Sequence, residues 1–251
     1  MKNRTILAAA LFAGVIGSIT SCSNDSSQSS YLTAEEIQAI KHPLVERVLT
    51  AEEQRALTPD GVLQTLKDGN KRFASNSLTA RDHSAMVRDA ARGQFPKAVI
   101  LSCLDSRIPV EDVFDRGIGD LFVARVAGNF VNTDILGSME FGCRLMGARL
   151  IVVLGHESCG AINGAIDNAQ LGNITSMLAN IKPAIERSKD FEGEQLSSNA
   201  AFVQRVTHEN VLQAIENIRN NSPILKEMES KGEIKIVGGI YNMHTGMIDF
   251  L

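Results

Sequence analysis

Two short motifs set the chemistry open to this sequence. Cys103-Leu104-Asp105-Ser106-Arg107 supplies a thiol, a carboxylate and a guanidinium, and about fifty residues downstream His156-Glu157-Ser158-Cys159 supplies an imidazole and a second thiol. Two soft thiolates and one imidazole make three quarters of a tetrahedral zinc site; catalytic zinc takes three protein ligands and leaves the fourth position to water. Cys103, His156 and Cys159 are therefore the expected metal ligands. A structural zinc would normally close with a fourth Cys or His, and none lies near either motif, although Asp105 could reach. A Cys103–Cys159 disulfide is the competing reading for a chain that works in an oxidising compartment. The odd number of thiols downstream of Cys22 (Cys103, Cys143, Cys159) and the His three residues before Cys159 favour the metal.

Each motif follows a short apolar run, Val99-Ile100-Leu101 before the first and Leu150-Ile151-Val152-Val153-Leu154 before the second. Such runs, bounded by Pro or Gly, read as buried strands of a parallel sheet. Both motifs would then sit at strand C-terminal ends, where open α/β sheets place their ligands. The second of these strands is expected over 149–154, and further strands over 120–126 and 233–241, with 247–251 as a candidate edge. Thr58-Pro59 reads as a helix start with Thr at the N-cap and Pro at N1, and Val62, Leu63, Leu66 and Phe73 give that helix one buried face. Thr133 is the expected cap of a helix carrying Ile135, Met139, Cys143 and Met146, which makes Cys143 a small core residue. The chain after Gly160 reads as a helix, putting Cys159 at its N-terminus, where the macrodipole favours a thiolate. The spacing predicts one helix from Ile174 to about Arg187, a polar loop over 190–198, a long helix over 200–220 and a shorter one after Ser222-Pro223. Strands alternating with helices give an α/β fold: a mostly parallel central sheet of about four to five strands flanked by helices.

The rest of the composition narrows the function. The 251 residues hold one α/β domain plus extensions or two small domains, and 44% hydrophobic content suffices for one sizeable core. A formal charge of −4 gives no electrostatic case for nucleic acid, and no P-loop or strand-linked Gly-x-Gly-x-x-Gly appears. At the N-terminus, Lys2 and Arg4 precede an apolar core from Ile6 to Ile19, as in a secretory signal. That core is too short and too rich in Ala and Gly for a spanning helix. Ile19-Thr20-Ser21-Cys22 resembles the lipobox of bacterial lipoproteins, in which the Cys is acylated. The expected organisation is a signal peptide over 1–22, a polar tether and helical arm over 23–57, and the zinc domain over 58–251. Thr33 and Thr50, each followed three residues on by Glu, fit capping boxes in the arm. The location expected is the periplasm or cell envelope, with the membrane met only through a lipid anchor at Cys22.

Cys-x-Asp-Ser-Arg followed by Gly-His-x-x-Cys-Gly resembles the zinc signature of the β-class carbonic anhydrases. Phe122-Val123-Ala124-Arg125, Gly137-Ser138-Met139-Glu140-Phe141 and Ile236-Val237-Gly238-Gly239-Ile240-Tyr241 resemble family segments in the family's order, over roughly residues 58–251. The resemblance implies one zinc ion per subunit and reversible hydration of carbon dioxide to bicarbonate by a zinc-bound hydroxide. Lowering the pKa of bound water from 15.7 to about 7 is worth roughly 12 kcal/mol, more than a positioned general base supplies. It further implies that Arg107 holds Asp105, which accepts the nucleophile's hydrogen bond. By the same likeness Gln94 donates to substrate oxygen, Gly160 offers a backbone N–H, and Phe122, Ala127 and Phe141 line an apolar pocket. The family builds its site at a dimer interface, so a homodimer or higher even oligomer is expected. Val126 departs from the family, many members of which carry Asn there. No proton shuttle is evident; His83 and His208 qualify by titration range alone. A carbon disulfide or carbonyl sulfide hydrolase on the same scaffold, or a non-enzymatic zinc or thiol protein of the envelope, are the alternatives.

Overall fold

The computed structural model describes residues 46–251. The signal-like segment, Cys22, the tether and the capping box at Thr33 lie outside the described residues. Five strands form one sheet in the order β2-β1-β3-β4-β5: β1 Ala98–Ser102, β2 Leu121–Arg125, β3 Leu150–His156, β4 Lys235–Tyr241 and β5 Ile248–Phe250. The first four run parallel, and β5 returns antiparallel to β4. Every residue of β1 and β3 is buried, because helices cover both faces of the sheet.

Alternation along the strands sorts the core into two layers. Val99, Leu101, Ile151 and Val153 face one way and meet Val211, Ile215, Ile218 and Leu225. Those partners come from α9 (Ala200–Asn221) and α10 (Pro223–Ser230). Ala98, Ile100, Leu150 and Val152 face the other way, onto Val62, Leu66, Ile108, Val113 and Phe114. This second layer is supplied by α2 (Pro59–Ala74), capped by Thr58 with Pro59 at its start, and by the short α4 (Val110–Val113). The two pack so closely that a side chain at Gly69 would meet the Phe114 carbonyl. The end of the arm belongs to this body. Helix α1 (Ala51–Arg55) has the Thr50/Glu53 capping box, and buried Gln54 donates to the carbonyls of Pro96 and Met146 at 2.8 and 2.7 Å.

Several expectations shift. The helix expected from Ile174 to Arg187 is two, α7 (Gly172–Leu178) and α8 (Lys182–Arg187), because Pro183 opens a new helix instead of continuing the first. The cap of α5 (Thr133–Glu140) is Asn132, whose side chain accepts from the Ile135 N–H; Thr133 is already helical. That helix runs on into a π turn, Phe141–Leu145, holding Cys143 in the core, and Met146 lies beyond it. Helix α3 (His83–Ala90), capped by Asp82, was not foreseen.

Candidate metal centre

Strand register builds the site. Ser102 pairs with Leu154, so Cys103 leaves β1 beside the end of β3, whose last residue is His156. The backbone then turns through Ser158, at a φ of 53°, and Cys159 caps α6 (Gly160–Ile166). The result gathers residues 56 apart in sequence: Cys103 Sγ and Cys159 Sγ stand 3.8 Å apart. Their sulfurs and the His156 ring nitrogen all lie within 4.8 Å of one another, and all three residues are buried. The three cysteines of the described residues are free thiols, so the disulfide reading is set aside.

The donors fit a soft tetrahedral ion. His156 Nδ1 faces the Glu157 carbonyl at 2.8 Å and donates there, which leaves the Nε2 lone pair open. Nε2 is itself buried without a hydrogen-bond partner, as a ligand nitrogen waiting for a cation would be. The Cys159 S–H donates to Cys103 and holds that thiol far below its ordinary range, at about 4. Burial opposes this, while neighbouring His156 and the Gly128 N–H, 3.4 Å from Cys103 Sγ, add to it. Cys159 is pushed up by the same shared proton and by its burial, against the first-turn N–H groups of Ala161 and Ile162. A cation replaces that proton and lets both sulfurs ionise. Gly128 sits at a φ of 84°, and a Cβ there would lie 2.6 Å from Ile181, so only glycine brings this N–H to the thiolate.

Asp105 and Arg107 form a two-pronged pair beside the metal position. Arg107 Nε and Nη2 donate to Asp105 Oδ1 and Oδ2 at 2.9 and 2.7 Å, and the Arg107 main-chain N–H adds a third bond at 3.0 Å. These donors hold the Asp105 carboxyl well below the usual carboxylate range, the guanidinium first, with burial opposing. Asp105 Oδ2 stands 3.9 Å from His156 Nε2. One residue unforeseen from sequence completes the frame. Arg125 lies opposite Ser102 in the register and donates from three nitrogens to the carbonyls of Cys103, Ile108 and Asp105 at 3.1, 3.0 and 2.5 Å. The resembling segment contains it, but the identity of its acceptors depends on a loop that only the fold brings there.

The remaining expected site residues divide. Half-buried Ala127 precedes Gly128, and Gly160 opens α6, so both flank the ligands. Gln94 does not meet them within one chain: it is exposed before the N-terminal end of β1, whereas Cys103 follows the C-terminal end. A five-residue strand spans roughly 16 Å. Phe122 and Phe141 pack edge to face at 6.4 Å along the outer edge of β2, in a groove with Val99, Ala124 and Ile135. His83 is exposed and His208 half-buried, and neither is brought to the ligands.

Comparison with known proteins places these features. A family model described as carbonic anhydrase matches residues 98–248. Carbonic anhydrase 2 of Mycobacterium tuberculosis is 36% identical over 197 residues, spanning 75% of this chain and 90% of the mycobacterial protein. A carbonic anhydrase of Pseudomonas aeruginosa is 29% identical over 195 residues, 75% and 87% of the two chains. Among solved structures, a tetrameric β-carbonic anhydrase of Sordaria macrospora superposes with a TM-score of 0.58 at 26% identity, covering 66% of this chain and 85% of the fungal one. The matched span runs from the first strand to the last and takes in all three ligands, and the chain belongs to the β-class carbonic anhydrase family.

Proposed function

We propose that this chain catalyses the reversible hydration of carbon dioxide to bicarbonate and a proton, with one zinc ion held by Cys103, His156 and Cys159. The observation that carries this reading is the buried, unpartnered His156 Nε2 facing two thiols, with an anchored carboxylate 3.9 Å away. When bound, zinc supplies an acidified water as the nucleophile. The protein does the rest by placement. Asp105, ionised and held by three Arg107 donors, is a fixed acceptor. It takes the hydrogen bond of the attacking water and turns a lone pair toward the carbon. Arg107 keeps that carboxylate from swinging onto the metal. The Gly160 N–H belongs to the first helical turn, where no helix carbonyl satisfies it, and is free to donate to a substrate oxygen. Ala127 offers the apolar wall that a nonpolar substrate needs. Zinc analysis and stopped-flow carbon dioxide hydration on one purified sample test the reading. One zinc per subunit with no hydration, but turnover of carbon disulfide or carbonyl sulfide, would refute the substrate; no zinc and no turnover would leave a thiol protein.

The working unit we propose is a homodimer or a higher even oligomer. Gln94 cannot serve its own chain's metal, Phe141 is 48% exposed beside the open edge of β2, and Leu104 is 65% exposed at the rim of the site. A second copy seated along the β2 edge covers this groove and brings its Gln94 to the neighbouring site. The fungal relative is described as tetrameric. Sedimentation showing a monomer at micromolar concentration would refute this arrangement. For location, the basic start, the apolar core and the Cys22 motif support export and a lipid anchor, placing the enzyme in the periplasm or envelope. Among the described residues no helix is long and apolar enough to cross a membrane. Partition of the full chain into the aqueous phase of a detergent split would overturn the anchor.

A further inference from the structure

Glu157 is neither a ligand nor a partner of the Asp105–Arg107 pair, yet each of its polar atoms is engaged. Its Oε1 accepts from Asn242 Nδ2 at 3.1 Å and its Oε2 from the Met243 main-chain N–H at 3.0 Å. Its own N–H donates to the Tyr241 carbonyl at 3.1 Å. Its carbonyl accepts from His156 Nδ1 at 2.8 Å. One residue thus grips the chain leaving β4 at three atoms and the ligand imidazole at a fourth. Asn242 cannot turn its amide over, because its Oδ1 accepts from the main-chain N–H groups of His244 and Thr245, both at 2.9 Å. The next residue, Ser158, holds a positive φ that is sparsely populated by residues with a side chain, so the turn needs an outside restraint.

We infer that Glu157 is a positioning residue of the metal centre. Through Asn242 and Met243 it fixes the His156–Cys159 turn against the β4–β5 hairpin, and through its carbonyl it selects the His156 tautomer that leaves Nε2 free. Outer partners of this kind orient a ligand ring and govern metal retention. The inference rests on the zinc site proposed above. It also makes the C-terminal hairpin, which contributes no ligand, a support of the active centre.

A reciprocal exchange tests it. In Glu157→Gln the new NH2 meets a donor whichever way the amide turns, either the Asn242 amide or the Met243 N–H. In Asn242→Asp two carboxylates face each other. In the double variant the new amide donates to the new carboxylate, the other carboxylate oxygen still receives the His244 and Thr245 N–H groups, and the Met243 N–H keeps its acceptor. The measurements are zinc release to a chelator, the thiolate-to-metal and ligand-field bands of the cobalt-substituted protein, and the melting temperature. Each single variant is expected to release zinc about tenfold faster or more and to shift the cobalt bands. The double variant is expected to return to within about threefold of the parent. Single variants with the parent's release rate and spectrum would overturn the inference, whatever their melting temperature. So would a double variant no better than Glu157→Gln, a comparison that stands even if Asn242→Asp fails to fold. A parent protein that binds no zinc would overturn the zinc site as well, whereas unaffected variants of a zinc-loaded parent would overturn this inference alone.

Discussion

Replacing Arg125 with Met separates the frame of the site from its ligands. The guanidinium donates to three main-chain carbonyls of the segment that carries Cys103, Asp105 and Arg107. A hydrogen bond from a charged donor contributes about 1.5–3 kcal/mol. Three from one half-buried side chain do not add fully, and freed loop carbonyls can turn to water. The net loss is therefore about 2–4 kcal/mol, less than the 5–15 kcal/mol that holds a typical domain together. The fold should survive with a melting temperature lower by about 5–15 °C. Catalysis should suffer more, because a displacement of about 1 Å in a reacting group can cost on the order of 100-fold. We expect kcat/KM for carbon dioxide hydration to fall by about that factor while zinc content stays near one per subunit. Arg125→Lys should fall between, since an ammonium cannot span three acceptors that a planar fork reaches. Stopped-flow hydration, metal analysis and calorimetry on the same preparations decide the matter. Loss of less than about twofold in Arg125→Met would refute the claim that this side chain holds the loop in its working shape.

Arg107→Ala should keep zinc and lose about 100-fold or more in turnover, because the released Asp105 carboxylate moves onto the metal; Arg107→Lys should recover part of it. Near-normal hydration by a zinc-loaded Arg107→Ala enzyme would remove the pair from the mechanism. Cys103→Ala and Cys159→Ala should each lose zinc and activity together and melt earlier, since metal binding to the folded state adds to stability; full zinc in both would disprove the ligand assignment. A last expectation concerns acid. Burial raises the Asp115 carboxyl, but bonds from Thr79 and Arg72 more than reverse this and leave it below its ordinary value. A depressed folded pKa gives stability that is complete above the unfolded value near 4 and lost as pH falls through the folded one. Asp115→Asn should therefore cost about 3–5 kcal/mol at neutral pH, as for a broken buried pair, and progressively less below pH 4 in urea titrations.

Much of this site can be read from sequence because its determinants are local. Ile100 and Val152 lie in short apolar runs that only a doubly covered strand accommodates, and a residue that follows such a strand lands at its C-terminal end. Thr50 and Thr58 announce helices because a cap needs only the N–H groups three residues ahead. What escapes is what depends on other segments. Helix α3 buries only Met86, so it leaves no apolar stripe to recognise. Arg125 lies in a resembling segment and Glu157 directly follows His156, yet neither position announces its role, because their partners are carbonyls and amides delivered by distant loops. Gln94 shows the same dependence on distant parts: the family likeness marks it for a substrate oxygen, but β1 carries it and Cys103 to opposite ends of the sheet, so the role proposed for it needs a second subunit that one chain's sequence does not display.

The separation between the two thiols has a kinetic consequence. Cys103 and Cys159, 56 positions apart, are joined only by the parallel pairing of β1 with β3. Closing a parallel crossover of that length is a late event, because its loop entropy must be met before any contact forms. An unfolded chain offers zinc one thiol at the first motif and a separate His–Cys pair at the second. The ion therefore cannot seed this sheet as it seeds a zinc finger; it enters a lattice of strands that already exists. Zinc should leave the refolding rate nearly unchanged and act almost wholly by slowing unfolding. The apoprotein would be a folded but shorter-lived molecule, and a newly made chain would carry no hydration activity until it had folded and only then met its metal.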